Sequence, residues 1–244
     1  MKILSIDTSG QQAGAAILNN YIIVGEILLN ARTGEKSWTH SEILMPGIDQ
    51  LFKLTGINRT EIDYIAYTSG PGSFTGLRIG AATALGLAAG LNRPTIPVPT
   101  LDSLAYNMLM MADSRGNTGL IIPMMDARRE QAYTAIYKFD ESGKPMRTTD
   151  YMALPVTEMI EKIDSSSQIF LLGDGVCANK ETLQTALPHA IFVPAHNNRQ
   201  RASSAGIWAA EQIESGYTPS DVVDILYVRA PQAVRNLTPG SKTL

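Results

Sequence analysis

Apolar and polar positions along this chain switch between two periods, one suited to buried strands and one to helices. Residues 2–7 form a short apolar run, Ile3-Leu4-Ser5-Ile6, that ends on Asp7 and reads as a buried strand. Runs at 14–18 and 21–29 read as two more strands, with Asn19-Asn20 as a tight turn because asparagine tolerates positive φ. An antiparallel hairpin or meander is therefore expected at the start. Over 37–55 the period becomes helical, with Ile43, Leu44, Ile48, Leu51, Phe52 and Leu54 on the apolar face. Pro46 should kink this helix or mark a late start, and Gly56 should stop it. A strand at 64–68 enters the turn Gly70-Pro71-Gly72, and a helix opens at Ser73 or Thr75. Its residues Gly76, Gly80, Ala84 and Ala88 fall four apart and share one face. A strand at 95–98 and a helix at 100–112, with Thr100 as N-cap, close the first half.

Residues 114–119 read as a linker-like break, after which the pattern restarts. Strands are expected at 120–125 and 131–139, a turn at 140–144, and a helix at about 155–163. A strand at 169–172 ends in Gly173-Asp174-Gly175, and helices follow at 180–187 and 202–215. Two successive strand–strand–helix–strand units point to a duplicated α/β architecture of mixed sheets flanked by helices. The fold class expected is actin-like, the sugar kinase and Hsp70 type (ASKHA), with two similar subdomains. The boundaries expected are 1–112 and 113–201, then a helix over 202–216 and a tail over 217–244.

Composition narrows the class. A chain of 244 residues can form one large domain or two modest ones with a sizeable core. With 44% hydrophobic and 18% charged residues it reads as an ordinary soluble globule. A net charge of −3 argues against strong autonomous nucleic-acid binding, which relies on clustered Lys and Arg. The lone Cys177 excludes an internal disulfide and a Cys-rich metal site, and reads as a small core residue. The N-terminus is too soon acidic for a signal peptide. The most apolar stretch, 79–91, falls short of the about 20 residues that span a bilayer. No membrane association and a cytoplasmic location are expected.

Three segments carry candidate chemistry. Asp7-Thr8-Ser9, at a strand end before a turn, is similar to the first phosphate loop of actin-like ATPases, where a carboxylate holds Mg²⁺ through water and turn amides meet phosphate. The alternative is a turn closed by its own Asx and hydroxyl bonds. The matching stretch of the second half is Asp126-Ala127-Arg128-Arg129. Ala127 stands where such ATPases usually carry glycine, and two guanidiniums crowd or neutralise the phosphate and metal position. The arginines suit an anion, a partner's acid or surface salt bridges. Gly173 and Gly175 resemble the adenosine-side glycine turn, although backbone geometry alone explains glycines there. His40, His189 and His196 have no i,i+3 or i,i+4 spacing, so no helix-borne metal site and no metal are expected. Pro71 and Thr75 replace the glycines of Gly-x-Ser-x-Gly around Ser73, so Ser73 reads as a helix N-cap and no catalytic residue is assigned.

Ile3-Leu4-Ser5-Ile6-Asp7-Thr8-Ser9, Gly70-Pro71-Gly72-Ser73-Phe74-Thr75-Gly76-Leu77-Arg78-Ile79-Gly80 and Pro123-Met124-Met125-Asp126-Ala127-Arg128 together resemble the TsaB (YeaZ) family. The likeness runs from residue 2 to about 229, where Tyr227-Val228-Arg229 matches a family Tyr-x-Arg tail, with Ile225 in place of the usual proline. The resemblance implies the actin-like fold, with the long C-terminal helix turned back towards the first subdomain. It implies a non-catalytic assembly subunit that pairs with a TsaD-type catalytic paralogue for N6-threonylcarbamoylation of the adenosine next to the anticodon, in tRNAs reading ANN codons. A TsaE-type ATPase is implied as a partner through the complex, tRNA only indirectly, and a homodimer for the isolated chain. The resemblance implies no cofactor of its own and leaves room for ATP or ADP at the interface of the complex. The catalytic paralogue carries two metal-binding histidines; the matching positions are Thr100 and Leu104, which are not metal ligands, and this speaks against a protease role too.

Two readings follow. In the first, the small-residue face docks the paralogue through Gly76, Leu77, Gly80, Ala84, Leu85 and Ala88, beside Leu44, Ile48 and Leu51 of the preceding helix, in a bundle of four helices. The alternative is a self-sufficient actin-fold ATP-dependent phosphotransferase or hydrolase. The first phosphate loop survives in outline, but the altered second loop and the missing histidine pair favour the first reading.

Overall fold

The computed structural model describes residues 1–30, 32–33, 36–109, 119–219 and 224–228, with the backbone alone at 32–33 and 36–37. Parts of the expected linker at 114–119, the end of the helix expected over 100–112, and the tail beyond Val228 lie outside the described residues. In chain order the elements are β1 Lys2–Asp7, β2 Gln12–Asn19, β3 Ile22–Asn30, the two-residue strands β4 Arg32–Thr33 and β5 Lys36–Ser37, α1 His40–Thr55, β6 Tyr64–Gly70, α2 Phe74–Leu91, β7 Thr95–Pro99 and α3 Thr100–Ala105. Then come β8 Leu120–Asp126, β9 Gln131–Thr134, β10 Tyr137–Phe139, β11 Pro145–Arg147, β12 Met152–Pro155, α4 Val156–Glu161, β13 Ile169–Leu172, α5 Asp174–Ala178, α6 Lys180–Ala186, β14 Ile191–Phe192 and α7 Ala202–Glu214.

The two halves share one sheet topology. The first sheet runs β3-β2-β1-β6-β7 and the second β11-β10-β8-β13-β14, with β9 pairing β8 and β12. In each, the opening strand has antiparallel neighbours on one side and parallel neighbours on the other. That is the duplicated α/β pattern expected, and the fold is actin-like. The hairpin turns on Asn20, which adopts φ 53°. Helix α1 ends at Gly56, whose φ of 69° lets its N–H reach Phe52 O. It begins only at His40 and runs through Pro46.

Some expectations are corrected. The single strand expected over 131–139 breaks at Ala135-Ile136, because Ile136 pairs with Thr148 and Thr149 instead of β8. Thr100 does not cap α3: Pro99 stands at the N-cap, and the Thr100 hydroxyl has no partner. Ser73 does cap α2, accepting the Gly76 N–H at 3.2 Å. Cys177 is exposed on α5, not in the core.

Helices α1 and α2 cover one face of the first sheet, where Leu44, Ile48, Leu51, Ala81, Ala84 and Ala88 meet Leu4, Ile6, Ile65 and Tyr67. Helix α7 covers the other face with Ala205, Ala209 and Ala210 against Ile3, Ala66, Ile96 and Val98. It sits close because a Cβ at Gly206 would run into Leu18. The side chains of α3 and the turn after it pack with the second sheet, Leu104 and Met108 meeting Ile121, Tyr137 and Leu172. Tyr106 donates to Glu211 (2.6 Å) and Ser204 to Asn107 (2.7 Å), tying α7 to the α3 region.

Edge strand β3 fixes where α7 starts. The Glu26 carboxylate accepts from Ser203 N–H (3.0 Å) and Ser203 Oγ (2.6 Å), and pairs with Arg201. Burial pushes Glu26 up, but the Arg201 and Ser203 bonds outweigh it and hold the carboxyl below its ordinary 4.5. A carboxyl with a lowered folded pKa stabilises the fold above its unfolded value and loses that contribution as pH falls through the folded one. Glu26→Ala should therefore lower the unfolding free energy at pH 7 by about 2 kcal/mol. The gap between parent and variant in urea titrations should narrow only below pH 4.5. A gap independent of pH down to acid unfolding would contradict this role.

Candidate functional site

The first candidate loop is closed by the chain itself. Asp7, at the end of β1, is buried, and its Oδ1 accepts from Ser9 N (2.9 Å), Ser9 Oγ (2.7 Å) and Thr68 Oγ1 (3.2 Å). Its Oδ2 has no partner, and burial pushes the carboxyl above its ordinary value against the pull of the Ser9 bonds. Thr8 Oγ1 donates to Gly76 O (2.8 Å), and Ser73 N–H donates to Ser9 O (2.7 Å). The Gly70-Pro71-Gly72 turn and the first turns of α2 thus roof Asp7, Thr8 and Ser9. A metal–nucleotide phosphate needs an accessible carboxylate, which the buried Asp7 does not offer.

The second loop is closed in the same way. The amides of Asp126, Ala127 and Arg128 donate to Asp174 Oδ1 (3.1 Å), Gln131 O (3.0 Å) and Asp126 Oδ1 (2.7 Å). Arg128, Arg129 and Glu130 all take left-handed conformations, with φ of 62°, 54° and 58°. Gly173 has φ 108° and no room for a Cβ beside the Met124 carbonyl, and Gly175 sits against the same strand. Those glycines therefore serve close backbone approach. The structure brings Asp126, Arg128, Gly173 and Gly175 together at the carboxyl ends of the adjacent strands β8 and β13, where burial pushes Asp174 upward.

The expected docking residues are placed differently from the sequence expectation. Gly76, Leu77, Gly80, Ala84, Ala88, Leu44, Ile48 and Leu51 are buried in the chain's own core, and Leu85 is half-buried. Gly76 and Gly80 face β1, where a Cβ would run into the Thr8 carbonyl and hydroxyl oxygens. The four-residue stripe is therefore what lets α2 approach the first sheet. The open face of α2 is a second stripe that the sequence reading missed: Thr75, Ala82, Gly86, Ala89 and Gly90 are exposed, with Ile79 half-buried among them. A Cβ at Gly86 or Gly90 would meet nothing. At one end of this face Arg78 lies 3.7 Å over the Phe74 ring, and Tyr227 stacks against Phe74 at 6.0 Å between centroids. The segment carrying Tyr227 is pinned by Leu226 N–H to Ser69 O (2.8 Å). Thr100 and Leu104 are buried. Among the described residues no three His, Cys, Asp or Glu side chains converge as a metal site would need.

Comparison with known proteins adds independent findings. The family model for TsaD, tRNA N6-adenosine threonylcarbamoyltransferase, matches residues 34–180. The chain is 29% identical to the tRNA threonylcarbamoyladenosine biosynthesis protein TsaB of Bacillus subtilis, over 79% of this chain and 80% of that protein. It is 34% identical to the TsaB of Escherichia coli, over 59% of this chain and 58% of that one. The structure of YeaZ from Pseudomonas aeruginosa superposes with a TM-score of 0.70 at 22% identity, covering 93% of this chain and 99% of that one.

The two faces of α2 should respond oppositely to a methyl group. Gly76→Ala or Gly80→Ala should destabilise the fold by about 1–3 kcal/mol through overpacking against Thr8. Gly86→Ala should leave stability unchanged or raise it by up to about 1 kcal/mol, since it adds a helix former in open space. Urea unfolding followed by circular dichroism distinguishes the two. Equal effects at all three positions would contradict the assignment of inner and outer faces.

Proposed function

Because the chain belongs to the TsaD threonylcarbamoyltransferase family, and is of its TsaB (YeaZ) type, we propose that it is the non-catalytic subunit that docks a TsaD-type paralogue through the outward face of α2. It takes part in threonylcarbamoyladenosine biosynthesis on tRNA. In this reading it holds the paralogue in a competent conformation while the paralogue transfers threonylcarbamoyl to the adenosine next to the anticodon, in tRNAs reading ANN codons. A TsaE-type ATPase joins through the complex, and ATP or ADP belongs to the shared interface. The isolated chain pairs with itself through the same face, in the cytoplasm where its tRNA is found.

The observation that carries the proposal is α2 itself. It is an 18-residue apolar helix of which only 33% is buried. Its open stripe, Thr75, Ile79, Ala82, Gly86 and Ala89, alternates spacings of four and three, the seam spacing of packed helices. Small side chains there allow close approach of a partner helix. Length and apolarity alone would also suit a membrane span. However, α2 is the crossover between the parallel neighbours β6 and β7, and its inner face lies in the sheet core. Helix α1 packs beside it, so the same pair on a paralogue would complete a four-helix bundle.

Ala82→Trp and Gly86→Trp should weaken pairing with the paralogue at least tenfold by calorimetry, with unchanged thermal unfolding. The same variants should abolish modification in a mixture of paralogue, accessory ATPase, carbamoyl-adenylate synthase and tRNA. Undiminished pairing would sink the α2 assignment. The phosphotransferase alternative has its own signature: ATP turnover by the isolated chain that Asp7→Ala abolishes. Only background turnover is expected.

A further inference from the structure

Two basic stretches that lie far apart in the sequence meet at one end of the second sheet. Asp126 N–H donates to Asp174 Oδ1 (3.1 Å), joining the turn that carries Arg128 and Arg129 to the turn after β13. Gly173 N–H donates to Asn198 Oδ1, joining that turn to the segment carrying Arg199. Asn107 fixes the same segment from behind, donating to the carbonyls of Asn197 (2.9 Å) and Arg199 (2.6 Å). Arg128, Arg129 and Arg199 are all exposed.

These three guanidiniums are also the unpartnered ones. Among the arginines whose side chains are described, Arg59, Arg78, Arg93, Arg147 and Arg201 each engage a carboxylate, a carbonyl or an aromatic ring. No hydrogen bond, ion pair or ring contact engages the guanidinium of Arg128, Arg129 or Arg199 among the described residues. The first two are displayed on three consecutive left-handed residues, a conformation that costs energy at each non-glycine position and persists only where the surroundings impose it. Here they do: Ala127 N–H bonds Gln131 O, Gln131 N–H bonds Arg128 O, and Val156 N–H bonds Glu130 O.

The geometry points to a phosphate-contacting rim, formed by Arg128, Arg129 and Arg199, that touches the tRNA backbone once the chain is in its complex. It rests on the reading of the chain as a subunit of the tRNA-modifying assembly. A nucleotide polyphosphate is the poorer fit, because the amides of Asp126, Ala127 and Arg128 are already bonded within the chain. Projecting guanidiniums suit phosphates spaced along a backbone. The exposed carboxylates of Asp126 and Glu130 partly offset the rim. It therefore supplies a few salt-labile contacts, which matches a chain of net charge −3.

The test uses the reconstituted complex of this chain with its paralogue and an unmodified tRNA transcript that reads an ANN codon. The triple variant Arg128→Gln, Arg129→Gln, Arg199→Gln should lower tRNA affinity tenfold or more near 0.1 M salt. It should also flatten the slope of log K against log salt by about 2, at ~0.7–0.9 per lost phosphate contact. Arg199→Gln alone, outside the left-handed turn, should give about a third of that change in slope. Pairing with the paralogue, measured by calorimetry without tRNA, should be unchanged, so failure of the rim and failure of the docking proposal are told apart. Unchanged affinity and slope would overturn the inference. So would weakened pairing, which would make the rim a site for a partner's carboxylates. Loss of ATP binding by the complex with tRNA binding intact would overturn it as well.

Discussion

The contact between α2 and the end of β1 is the constraint on which the rest of this structure depends. Gly76 and Gly80 lack side chains where Thr8 presents its carbonyl and hydroxyl, and Thr8 Oγ1 donates to Gly76 O at 2.8 Å. Any larger residue would lift the helix off the sheet. The close seat places Leu77, Ala81, Ala84 and Ala88 against the strands. It also sets the Ser73 N–H at the start of α2 against the Ser9 carbonyl, tying the helix N-terminus to the turn after β1.

In the two turns that resemble phosphate loops, the amides of Ser9, Asp126, Ala127 and Arg128 bond within the chain, and Asp7 lies buried with one oxygen unpartnered. Keeping that carboxyl out of water costs stability, since buried acids without full hydrogen bonding are destabilising. What is exposed instead is the outward face of α2 and the guanidiniums of Arg128, Arg129 and Arg199.

Much of this was legible in the sequence, and the rest was hidden for physical reasons. The long periodic elements β1, β2, β3, α1, β6, α2 and α7 announce themselves by spacing, capping residues and glycine stops. Short β11, β12, β14 and α5, of two to five residues, carry too few positions to show a period. Which side of α2 faces inward could not be read at all. Gly76, Gly80, Ala84 and Ala88 on one side and Ala82, Gly86, Ala89 and Gly90 on the other are equally small. Only the tertiary position of Thr8 selects between them. The family motifs marked Asp126, Arg128, Gly173 and Gly175 individually, but their meeting with Arg199 depends on the pairing of β8 with β13 and on Asn198, which no local pattern encodes.

The central claim is that the outward stripe of α2 is the surface that another actin-fold subunit covers. Site-specific photo-crosslinking tests it directly, with a benzophenone side chain placed at Ala82 or Ala89 on that stripe, or at Ile22 on the equally exposed edge strand β3. The account predicts covalent capture of the TsaD-type paralogue from Ala82 and Ala89 and none from Ile22. Capture from Ile22 with none from either α2 position would contradict it.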